Sequence, residues 1–120
     1  MTTMNMAADT VKQIASAVQA LDRNAKERAA TLASAQKAKG GSANERKAQV
    51  PNLEKARAAA ETDRRRINEC LTRLAQQSKD IDRSPERPVA AKLKTTLADA
   101  DSKIVPAIRQ LDEVIKAMRA

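Results

Sequence analysis

No phenylalanine, tyrosine or tryptophan occurs in the 120 residues, so any core must be built without a large side chain. A fully buried aliphatic residue contributes roughly 1.5 to 3 kcal/mol, and only 24 residues are Val, Ile, Leu or Met, the rest of the apolar fraction being mostly Ala. A compact globule is hard to stabilise on such material. Long helices lying side by side use small residues well, and Ala leads the helix propensity scale. Histidine is also absent, which removes the commonest general base and the commonest metal ligand. Catalysis is therefore not expected, nor is a metal or cofactor. The single cysteine, Cys70, excludes an intrachain disulfide framework and suits a reducing compartment, so a cytoplasmic location is expected. No stretch approaches the roughly 18 apolar residues of a membrane span, and Met1 to Met6 lack the basic and apolar regions of a secretory signal; neither secretion nor membrane insertion is expected.

What is abundant is charge. Acidic and basic side chains make up 32% of the chain and the net charge is +8, which points to an acidic partner: an acidic protein, nucleic acid or an anionic surface. The excess is spread almost evenly, with no basic tail. Nucleic acid would be bound only nonspecifically, because the aromatics that stack single-stranded bases, a Gly-rich phosphate loop and a zinc pattern are all missing.

The apolar residues recur at helical heptad spacing. Leu53, Ala60, Ile67, Leu74 and Ile81 follow one another every seven residues. Upstream, Met4, Ala7, Val11, Ile14, Val18, Leu21, Ala25, Leu32 and Ala35 alternate three and four apart, interrupted by Arg28, until Gly40 and Gly41 stop the pattern. Downstream, Leu93, Leu97, Ala100, Ile104, Ala107, Leu111, Val114 and Met118 form the most apolar seam, widened by Ile108 and Ile115. The expectation is an all-α chain, one domain over 1–120, with helices at about 4–39, 42–83 and 86–119. Ser42 and Glu45 read as a capping box. Pro51 either starts the second helix, leaving 42–50 as a separate turn, or bends a helix already begun; one bent helix is expected. Pro85 and Pro88 make the second turn, and Pro106 should kink the third helix. Three long antiparallel helices in a coiled-coil-like three-helix bundle are the simplest arrangement. The rival is an extended hairpin that completes its core by dimerising, which leaves monomer against homodimer open.

Cys70 sits on the seam edge beside Ile67 and Leu74 and reads as a small buried hydrophobe. Asp80/Asp82 and Asp99/Asp101 lack the glycine and further oxygen ligands of a calcium loop and read as solvated surface. Ser84, between Arg83 and Pro85, has the form of an exposed phosphorylation site as well as of an ordinary turn. Arg64, Arg65 and Arg66 are the strongest local charge feature, a docking point for acidic groups, although successive helical residues point about 100° apart and pairs Glu61–Arg65 and Asp63–Arg66 would occupy two of them. Arg28 and Arg64 lie on or beside their seams, where a long side chain either snorkels outward or fixes register, and register is the expected role.

The order of helices and loops resembles the tubulin-binding cofactor A family, small cytosolic three-helix bundles that act as chaperones for β-tubulin. Thr10, Val11, Lys12 and Ile14, then Asp22, Arg23, Ala25 and Lys26, fall on the family's basic-aliphatic pattern in the first helix. Lys37, Lys39, Gly40, Lys47, Gln49, Leu53, Arg57, Arg66, Ile67, Leu71 and Leu74 continue it without a gap, over roughly residues 10–75. Ala58 to Glu61 stand where the family has an aliphatic-Pro element, which occurs here instead at Ile104-Val105-Pro106; the family's tyrosines are missing, and the third helix is longer. The resemblance implies a non-enzymatic chaperone-like protein that captures β-tubulin through Arg57, Arg64, Arg65 and Arg66. The alternative is a coiled-coil structural or assembly subunit of a virion, secretion or cytoskeletal complex, and after it a nonspecific nucleic-acid-binding protein.

Overall fold

A computed structural model describes the backbone of residues 2–120 and the side chains of residues 6–120. The described chain is all helical. It consists of α1 (Thr2–Ala38), α2 (Ala43–Ala48), α3 (Val50–Gln76), α4 (Ser78–Asp82) and α5 (Arg87–Arg119). The long helices α1, α3 and α5 each pack against the other two, α3 most extensively against α5. The molecule measures 63 × 18 × 17 Å with a radius of gyration of 18.2 Å, against about 13.6 Å for a compact domain of this length. It is a rod, as helices of some 40 to 55 Å lying side by side require.

The turns follow from local chemistry. Gly41 N–H donates to the Ala38 carbonyl at 2.9 Å, and a Cβ at Gly41 would lie 3.2 Å from that carbonyl oxygen and displace the mobile end of the Glu45 side chain, so the small residue lets the turn close tightly. The Ser42 hydroxyl accepts from Glu45 N–H at 3.2 Å, an N-cap on α2. At the other turn the Ser84 hydroxyl donates to the Ile81 carbonyl at 2.7 Å and accepts from Glu86 N–H at 3.2 Å. That hydroxyl is a structural fastener between α4 and α5.

The segment 42–83, expected as one bent helix, is divided at two places. Pro51 lies in the first turn of α3, where its missing N–H leaves no helical bond unmade, and Gln49 joins α2 to α3 with φ −80°, ψ −19°. The backbone thus stays right-handed through the joint while the hydrogen bonding is interrupted. The second break, at Gln77, has no proline or glycine to announce it. Gln77 takes φ −104°, ψ 13°, and its buried Oε1 has no hydrogen-bond partner. In α5 the helix continues through Pro106 to Arg119. Both Pro106 and Ser102, whose carbonyl loses its partner, are exposed, so the unmade bond lies on the wet side.

All five members of the seven-residue ladder are buried: Leu53 and Ala60 at 0% exposure, Ile67, Leu74 and Ile81 at 1%, 6% and 3%. Cys70 joins them, and burial pushes its thiol pKa up, above its ordinary value, against a smaller opposing pull from Arg73 and Arg66. From α1 come Ala7, Val11, Ile14, Leu21 and Ala35, and from α5 Leu97, Ile104, Ile108, Leu111, Ile115 and Met118, with Ala90 added. Met4, expected to open the first seam, lies outside the described side chains.

Two seam positions and one surface position differ from expectation. Ala25 is exposed, because the helices beside it do not close over a methyl group. Arg64 is exposed too and fixes no register. Asp63, expected to pair with Arg66 on the surface, is 2% exposed; it accepts from Arg28 Nη1 at 2.5 Å and Asn24 Nδ2 at 3.0 Å. A buried carboxylate needs both, since leaving water unpaired costs several kcal/mol.

Candidate functional site: an apolar groove between α1 and α5

Between α1 and α5 the small residues leave a groove of about 630 Å³. Ala25 and Ala29 on one wall and Ala100 and Ala107 on the other are too short to meet across it. Its floor is aliphatic, with Ile67 of α3 below Leu21, Leu97, Ile104 and Leu111. Along α1 the lining runs from Val18 to Leu32 and along α5 from Thr96 to Leu111, about 21 Å or four helical turns. Arg28 also reaches the lining, its charge balanced by Asp63 at 2.5 Å with side-chain exposures of 12% and 3%.

Charge on the rim is balanced locally. Asp22 pairs with Lys26 at 3.2 Å on α1, and Asp99 with Lys103 at 3.0 Å on α5. Gln19 and Gln110 complete the polar border. Such a groove can bury apolar side chains along its length while its edges exchange hydrogen bonds and charge. It holds no nucleophile paired with a base.

None of the four arginines singled out from the sequence lines this groove. Arg57 is engaged: its guanidinium donates to Asp112 and lies 3.7 Å from Glu61, and the Asp112 hydrogen bond raises its pKa, with help from both carboxylates' charge. Arg64, Arg65 and Arg66 are exposed. Arg65 donates to the Thr62 hydroxyl at 3.4 Å in place of the expected Glu61 contact, and among the described residues none of the three forms an ion pair. The groove was hidden in the sequence because its walls read as seam: Ala25, Ala100 and Ala107 have heptad positions but not the size to fill them.

The chain matches no protein-family model, no curated protein and no solved structure. No described helix is long and apolar enough to cross a membrane.

Proposed function

We propose that this chain is a non-enzymatic helical protein-binding module, an antiparallel three-helix bundle whose α1–α5 groove receives the apolar face of an amphipathic helix. The antiparallel order is supported by the cross-helix contacts. Residue numbers rise along α1 (Gln13, Asn24, Arg28) as they fall along α3 (Arg73, Asp63), and rise along α3 (Glu54, Arg57) as they fall along α5 (Arg119, Asp112). The observation that carries the binding role is the groove itself. An aliphatic trough about four turns long matches the i, i+3, i+4, i+7 anchors of a docked helix, and its length favours that over a compact small molecule. The reading sits closest to an assembly subunit whose seams finish packing against a partner.

The test is fluorescence anisotropy with a labelled synthetic amphipathic helix carrying leucine on one face. The natural chain should bind it, and an Ala25→Glu/Ala29→Glu form, altered only at exposed groove positions, should bind about tenfold more weakly or worse. Equal binding by the two forms would remove the groove from consideration.

A second reading is favoured by the exposed Arg64, Arg65 and Arg66 without acidic partners. They offer an acidic protein a landing surface on α3, and the resemblance to cofactor A proposes β-tubulin. In this reading purified tubulin is captured, capture weakens with salt, and an Arg64→Ser/Arg65→Ser/Arg66→Ser form captures less. Indifferent capture of any polyanion would count against it.

A further inference from the structure

We infer that the helix face occupying the α1–α5 groove belongs to a second copy of the same chain, an inference that rests on the groove being a helix-docking site. The first support is shape. A rod 63 Å long carries the groove for about 21 Å along one side, so two copies can lie α1–α5 face against α1–α5 face, the wall helices extending the contact beyond the groove toward the roughly 800 Å² per partner of a standard interface.

The second support is where the charge lies. Two chains of net charge +8 repel, and the face on which they meet must be one that does not carry the excess. The groove rim is such a face. Asp22 is answered by Lys26 and Asp99 by Lys103, and Arg28 is neutralised by Asp63. The exposed arginines at 64 to 66 lie outside the lining. Asp99 and Lys103 line the α5 wall one turn apart, and Asp22 lines the α1 wall with its partner Lys26 just outside the lining, so an identical rim meets both signs, the self-complementarity an isologous contact needs. A strongly acidic partner would find no net positive charge here. The alanine walls admit close approach of two helical backbones.

The experiment is sedimentation velocity on the whole chain across a concentration series, beside the Ala25→Glu/Ala29→Glu form, with far-UV circular dichroism to verify that both are folded. The substitution lowers the net charge of each copy from +8 to about +6 and so relieves long-range repulsion; any loss of association must come from the groove. Expected is a concentration-dependent dimer of the natural chain whose dissociation constant rises about tenfold or more in the variant. A dimer that the variant retains unchanged overturns the inference. So does a natural chain that stays monomeric at its highest soluble concentration. If that monomer still binds the labelled leucine helix, the second copy is excluded and the docking groove stands; if it binds nothing, both fall.

Discussion

Replacing Arg28 by methionine should be the most damaging single change to the polar part of this core. Asp63 has 3% of its side chain exposed and Arg28 12%, so Arg28→Met leaves a carboxylate that cannot reach water, with Asn24 as its remaining hydrogen-bond partner. Removing one partner of a buried pair costs about 3 to 5 kcal/mol, out of roughly 6 to 18 kcal/mol for a domain of this length. Asp63→Asn should cost less, about 1 to 3 kcal/mol, because Arg28 lines the groove and can extend its head group into solvent. Arg28→Met combined with Asp63→Leu removes both charges and should recover most of the loss, since apolar replacement of a buried pair is often neutral or favourable. Urea unfolding followed by far-UV circular dichroism reads this directly. With a slope of about 2 kcal/mol per M, Arg28→Met should lower the midpoint by about 2 M. A single variant within about 1 kcal/mol of the natural chain, or a double variant no better than Arg28→Met, would refute the account of Asp63 as a buried, dependent charge.

Leu53→Ala, at a position with 0% exposure, should cost about 2 to 5 kcal/mol in the same titration. Asp112→Ala removes an exposed partner of Arg57 and should leave the urea midpoint almost unchanged, with any small effect fading in high salt. The Cys70 thiol has its pKa raised by burial, so its contribution is fully present below the unfolded value near about 8.5 and is lost as pH climbs toward the folded one. Stability of the natural chain should therefore fall more steeply than that of Cys70→Ala between about pH 8 and pH 10, and alkylation of the folded thiol should be slow; equal slopes and rapid alkylation would show an accessible thiol.

The helical class and most of the core were legible because a period of seven in an aromatic-free chain admits few other solutions. The ladder from Leu53 to Ile81 is buried without exception. Less legible was the position three residues after each rung: Ala56, Asp63, Cys70 and Gln77 occupy the companion core row, and two of the four are polar. A seam interrupted by Arg28 facing a row interrupted by Asp63 contains, in principle, its own pairing rule, since opposite charges displaced from water seek one another. Reading Asp63 with Arg66, its nearest base on the same helix face, missed this because local pairs are visible in sequence and cross-helix pairs are not. The groove was illegible for the opposite reason. Alanine satisfies a heptad pattern by being apolar, and only the separation of neighbouring helices decides whether its methyl group fills the space.

A chain assembled from repeating alanine and aliphatic rungs has a repeating set of wrong alignments. In the proposed arrangement, displacing α1 by one heptad against α3 still places small apolar groups opposite one another, but it sets Asp63 against Leu21 or Ala35, both buried, where the Arg28 guanidinium stood. Each such competitor then carries a stranded carboxylate at a cost of several kcal/mol. The pair at 28 and 63 therefore contributes less by strengthening the native alignment than by emptying its neighbours, and removing both charges should yield a chain of nearly natural stability that is partitioned among shifted states.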